Sequence, residues 1–320
     1  MIWLTWRQQR FEVLIGAAVL GLIAAALIAT GLQMAADYQQ TGVAACVGPH
    51  PSTNCFTIVD AFRNRFGGWE GTVGRLNFLP LVFGLLFGAP FVLEMEQGTY
   101  RLAWTQSITR TQWVAIKLAV ILGLTLLAAG IFTLLMTWWR LPFDHLDGVF
   151  NSQDGFDFEG TAPLSYAVFA VTLGIAVGTL IRKTVPAVGI AVAGFLALRL
   201  SILNFLRPHY LPPAHMVSSF AGPARLSGPG RGAWILSSGW SDRLGHPISD
   251  VTVIQLCNPA SFPSKIAVFS CFAAHHIYSD TVYQPASRFW LFQGIETGIF
   301  LGLSALLLAV TVWWIRYRIT

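Results

Sequence analysis

Charge is what this chain has least of. Asp, Glu, Lys and Arg make up 11% of its 320 residues against a hydrophobic share of 54%, whereas a soluble domain carries about 25% charged residues. A globular enzyme that keeps its whole surface in water is excluded on that ground. Lysine is scarcest of all: its three occurrences follow Ile116, Arg182 and Ser264. No Gly-Lys-Ser/Thr run exists, so the chain carries no phosphate-cradling loop of its own. The His-Glu-x-x-His pattern of zinc proteases is missing too. His275 and His276 are adjacent, not four apart as two ligands on one helix face have to be, and they read as loop histidines. The net charge of +5 is spread over the ends of apolar runs, which argues against a nucleic-acid partner.

Long apolar runs are what the chain has instead. Val13–Leu32, Leu76–Leu93, Val114–Trp139, Pro163–Ile181, a run from Val185 and Phe289–Ile315 each supply about the 20 residues needed to cross a hydrocarbon core of about 30 Å. The expected fold is an all-α polytopic membrane protein with six transmembrane helices. Residues 1–11, with Trp3, Trp6, Arg7 and Arg10, read as an interfacial elbow. They do not read as a cleaved signal, because the apolar stretch that follows is a full span. Residues 12–203 hold spans one to five, 204–288 an extracellular segment with nine of the sixteen prolines, and 289–320 the last span and tail.

With both termini cytoplasmic, Arg7, Arg10, Arg101, Arg110, Arg182, Lys183, Arg316 and Arg318 all fall on the inner side, as the positive-inside rule requires. Cys46, Cys55, Cys257 and Cys271 then face an oxidising compartment, where disulfides persist. Three pairings are open, and the two local ones, Cys46 with Cys55 and Cys257 with Cys271, are favoured.

The polar stretches between spans read as connections. Gln33–Arg75 is one of them. Arg140–Ala162 is another and carries Asp144, Asp147, Asp154, Asp157 and Glu159. A calcium loop is excluded there, because placing Gly155 at the sixth position puts Phe150 at the first, where an oxygen ligand is needed. A solvated acidic loop is expected. Ser227–Gly232 is glycine-rich and reads as a flexible turn. Ile266–Ala274 is apolar but too short to cross, so it either caps the exit or packs in a small outer domain.

Two ionisable groups lie inside spans. Arg199, near the outer end of span five, and Glu296, a similar distance into span six, come to comparable depth by helix counting. A lone charge at the bilayer centre costs about 3 kcal/mol, so the two are expected to pair. Glycines four residues apart, Gly84 and Gly88, Gly174 and Gly178, and Gly294, Gly298 and Gly302, mark close helix packing. Pro80 and Pro90 are expected to kink span two.

The polar segment between spans two and three reads Glu94-x-Glu96-x-Gly98-Thr99, then Thr105-Gln106-Ser107, then Arg110-x-x-Trp113-x-x-x-Lys117. This pattern resembles the segment after the second span in permeases of the ABC-2 transporter family. The N-terminal Trp-Arg-Gln and the Tyr283–Trp290 stretch are similar to its actinobacterial branch. The resemblance implies a coupling segment at residues 94–113 that seats in a groove of an ATP-binding subunit, with Glu94, Glu96, Gly98, Thr99, Arg101 and Arg110 as its working residues. It also implies a homodimeric, multi-pass permease of a bacterial cell membrane, served by two ATP-binding subunits that carry ATP and Mg. No cofactor is expected on this chain, and it is not itself an enzyme. Export of a drug, an antibiotic or a lipid is the implied activity. The competing class is a membrane anchor or sensor that signals through a bound partner and moves no cargo.

Overall fold

The computed structural model describes residues 2–47, 54–100, 109–150, 153–220, 229–258 and 265–318. Six helical segments are long and apolar enough to cross a membrane. The first, α1 (Ile2–Gln40), runs unbroken from its second residue, so the expected elbow is continuous with the span. The second consists of α3 (Cys55–Gly74), a 3-10 turn at Arg75–Phe78, and α4 (Leu79–Gln97). Pro80 sits in the first turn of α4, where its missing N–H costs nothing. Then come α5 (Arg110–Asp147), α7 (Ala162–Ile181), α8 (Thr184–Ser201) and α11 (Phe289–Tyr317).

Three of these segments are far longer than a bilayer requires. α1 has 39 residues, α3 and α4 together 43, and α5 38, about 58, 64 and 57 Å at helical rise. Their excess length projects from one end of the bundle and packs into a stalk. The described residues of Gln33–Arg75 are therefore mostly helix and not a polar connection: the end of α1, the short α2 (Val43–Cys46) and all of α3. The residues that bury there recur at helical spacing, Met34 and Tyr38 on α1, Phe62 and Phe66 on α3, Trp139 and Phe143 on α5. Their neighbours are polar, and this gives each helix one dry stripe. Asp37 bonds Arg65 at 2.7 Å, Arg63 pairs with Asp147, and a disulfide joins Cys46 to Cys55.

α7 is the central helix, with most of its length buried against α4 and α11. Gly84 makes that contact close. A Cβ there would lie 2.8 Å from the Val171 backbone nitrogen, so only glycine lets the two helices meet. Gly178 lies just as tightly against the Val92 side chain. Gly294, Gly298 and Gly302 face no neighbour within 4 Å.

One region departs from an all-helical chain. Between α8 and α11 lies a four-stranded antiparallel sheet of order β1-β4-β2-β3, formed by β1 (Ala214–Ser219), β2 (Trp234–Ser241), β3 (Pro247–Ile248) and β4 (Tyr278–Gln284). Ala214 faces Tyr283 and Trp234 faces Gln284, with a bulge between Ile235 and Ser237. Two helices, α9 (Asp250–Leu256) and α10 (Lys265–Ala274), join a small core around Phe220, Trp240, Val253 and Phe272. The apolar run at 266–274 is thus a packed core element, fastened by the Cys257–Cys271 disulfide. Gly148, just after α5, touches the Gly232 backbone, which sets the sheet on the stalk end.

Candidate functional site

The connection from α4 to α5 lies at the opposite end of the bundle. α4 stops because Gly98 adopts a left-handed conformation, φ +70°, which glycine reaches without a Cβ clash. α5 starts at Thr109, whose Oγ1 accepts a hydrogen bond from the Gln112 amide at 3.3 Å. Thr99 is exposed and Tyr100 is buried, its ring 6.5 Å from that of Trp113. Residues 101–108, Arg101 among them, lie outside the described residues. Arg110 is half-buried at the first turn of α5.

Glu94 turns inward, and Glu96, though exposed, is bonded within the chain. Glu94 pairs with Lys117 of α5, and both side chains are mostly buried, at 12% and 8% exposure. The Lys117 ammonium also sits 5.0 Å from the Trp113 ring centroid, a cation–π contact. Glu96 reaches a different helix: its Oε2 accepts from the Thr184 amide at 2.8 Å and from the Thr184 hydroxyl at 2.5 Å. Those groups form the first turn of α8, whose free N–H groups favour a carboxylate. The end of α4 that leads into the connection is therefore fastened twice, through Glu94 to α5 and through Glu96 to α8.

At the stalk end, a buried charge cluster joins five segments. α8 continues as a π turn, Ile202–Leu206, and a 3-10 turn, Arg207–His209. Eight α-helical residues would leave Arg199 and Arg207 about 80° apart around the axis. The wider π turn rotates less per residue and brings both onto one face. Arg207 then donates to Asp157 at 2.6 Å and to both Glu296 oxygens at 2.7 and 2.9 Å. Arg199 lies 3.5 Å from the other Asp157 oxygen, donates to the Asn77 carbonyl at 2.9 Å, and also bonds the Asn77 side chain. Tyr166 of α7 fills the middle, its hydroxyl bonded to Glu296 at 2.5 Å and its ring 4.3 Å from the Arg199 guanidinium. Two cations and two anions, all at most 4% exposed, leave the cluster neutral.

Arg199 and Glu296 thus enter one cluster, on either side of Tyr166, but pair with other residues. Glu296 takes Arg207, and Arg199 takes Asp157. The sequence reading counted along an uninterrupted helix and left Arg207 outside the span. Three acids of the expected solvated loop, Asp144, Asp157 and Glu159, are likewise mostly buried. α5 continues through Asp144 and Asp147, and a short α6 (Gln153–Phe158) carries Asp157 inward. Asp157 and Glu159 are only 2% and 6% exposed. Burial pushes the Asp157 carboxyl up, but the Arg207 and Arg199 guanidinium groups more than offset this and hold it below its usual range.

Glu159 belongs to a second group at the stalk base. The Arg140 Nε, buried in α5, lies 3.6 Å from Glu159 and 3.8 Å from Asp144, and its Nη1 is 3.5 Å from Glu70 of α3. Asp144 Oδ1 and Glu159 Oε1 thus face the same guanidinium nitrogen. One turn before Glu296, Gln293 accepts from the Thr161 and Ala162 amides at 3.1 and 2.8 Å, capping α7.

No curated protein and no solved structure matches this chain. A family model described as ABC-2 membrane transporter related matches residues 17–207. That stretch takes in the first five membrane-spanning segments, both glutamates of the connection and, as its last residue, Arg207 of the charge cluster. A multi-pass helical protein built around these two sites is a member of the ABC-2 membrane transporter related family.

Proposed function

We propose that this chain is the permease subunit of an ATP-driven exporter in a bacterial cell membrane. Two copies of it work with two ATP-binding subunits that supply ATP and Mg, and a hydrophobic or amphiphilic molecule such as a drug, an antibiotic or a lipid is carried outward. Both termini and the 94–113 connection lie inside, and the sheet and stalk lie outside. The observation that carries this reading is the double fastening of the connection. A segment gripped by an ATPase and tied through Glu94 to α5 and through Glu96 to α8 passes a displacement directly to spanning helices. α8 is stiff over Thr184–Ser201 and ends in the charge cluster, so movement at its inner end works against a second, discrete set of contacts. Packed elements of this kind switch between arrangements and do not deform continuously. Thr99 and Glu96 are exposed at this end, and the cations Arg101 and Arg110 are the groups expected to meet an acidic or carbonyl surface of the partner.

The test is to purify the tagged chain from native membranes and identify what accompanies it. An ATPase that co-purifies with the wild type, and is lost from the Arg101→Ala, Arg110→Ala double variant with thermal stability unchanged, supports the reading. Glu96→Ala retains the ATPase but loses ATP-dependent cargo movement. Recovery of no ATPase in either preparation overturns the exporter and leaves the anchor or sensor class.

A further inference from the structure

The stalk base holds more negative charge than it can neutralise. Asp144 of α5 and Glu159, in the segment leading into α7, each have side chains only 8% exposed, and the base beside them is Arg140, itself 4% exposed. The remaining carboxylate near Arg140, Glu70, is about one-third exposed and keeps its hydration. Among the other groups acting on Asp144, His145 is attractive and Asp147 is repulsive, though Asp147 is itself taken up by Arg63 of α3. Counted at full ionisation, the dry part of this group is one guanidinium against two carboxylates. Two ionised carboxylates are acceptors only and have no hydrogen to share between them. One oxygen of each, Asp144 Oδ1 and Glu159 Oε1, is shielded from solvent and accepts no hydrogen bond, so neither has the solvation that a full charge demands.

We propose that Asp144 and Glu159 form a proton-binding site that holds one proton between the two carboxyl groups and thereby fastens α5 to the start of α7. Glu159 carries the proton and donates it to Asp144, which stays ionised opposite Arg140, and the buried group becomes neutral. Burial and the neighbouring Asp144 both push Glu159 up, to about 9. The folded chain therefore keeps this proton over the whole interval from 4.5, the ordinary value, to about 9, while the unfolded chain releases it. The contribution is complete below that interval and is lost as pH rises through it. Above it, two adjacent carboxylates repel each other in a place water does not reach, and the fastening opens.

The experiment uses the full chain in lipid nanodiscs, wild type against Glu159→Gln, which keeps the hydrogen-bond donor and cannot ionise. Thermal unfolding followed from pH 6 to pH 9.5 is expected to drop by roughly 5 °C more in the wild type than in the variant. Infrared difference spectra of the wild type across the same range should lose the carbonyl band of a protonated carboxylic acid, and the variant should lack that loss. Equal pH slopes in the two proteins overturn the proposal. So does a wild-type spectrum without the band, a readout that needs no variant to fold.

Discussion

At the scale of single residues, the two sites differ in how much each bond decides. Glu94 and Lys117 form a mostly buried pair, so Lys117→Met strips the carboxylate of this cation and should cost about 3–5 kcal/mol, read as a lowered unfolding midpoint. The double replacement Glu94→Leu, Lys117→Leu should recover most of the loss, because the pair's attraction largely balances its desolvation. In the charge cluster, Arg207 bonds both Asp157 and Glu296. Arg207→Ala and Glu296→Ala should therefore be strongly non-additive in a double-mutant cycle, whereas Arg199→Ala with Glu296→Ala should couple more weakly, because they meet only through intermediaries such as Tyr166 and the Asp157–Arg207 pair. Equal coupling in the two cycles would contradict the partners described above. Arg199 and Glu296 were legible as buried charges because each interrupts an apolar run. Their true partners were not, since Asp157 lies in a stretch that reads as solvent-exposed and Arg207 stands beyond the last residue counted as span.

At the scale of elements, the π turn at Ile202–Leu206 is the part of α8 on which the cluster depends. Deleting one residue within it should restore an unbroken α-helix with Arg207 seven positions after Arg199, only about 20° off its face, and folded protein should still accumulate, whereas deleting two should swing Arg207 about 100° further from Asp157 and abolish accumulation. The same deletion beyond His209 should be tolerated. The glycine repeats likewise separate by neighbour and not by pattern. Gly84→Leu drives a side chain into the Ala170 Cβ and the Val171 backbone and should prevent α4 from seating on α7, while a Cβ at Gly298 has no neighbour within 4 Å among the described residues, so Gly298→Leu should be tolerated. Detergent-extracted yield and monodispersity distinguish the two. Spacing of four residues was visible in the sequence for both, but which helix lies opposite is a tertiary fact. The stalk was missed for a related reason. A search for apolar runs stops at the first polar residues, yet Met34, Tyr38, Phe62 and Phe66 continue a narrower stripe that water-exposed helices need only on one side.

At the scale of the whole molecule, span number and approximate limits were readable because a bilayer admits few alternatives: about 20 apolar residues must form a helix. Outside the bilayer that constraint lapses, and there the sheet and the helical overruns appeared unannounced. Sheet order adds a demand on timing. β4, next to last among the described regular elements before α11, lies between β1 and β2, and apart from the two-residue β3 every strand pairs only through it. During synthesis β1 and β2 must wait some 40 residues or more for their common partner, and that partner enters directly into the last membrane helix. Completion of the sheet is thus tied to insertion of α11. A chain ending at residue 270 should leave both early strands open to protease while the full-length chain resists, so quality control in the cell has a clear sign of whether the final span has arrived.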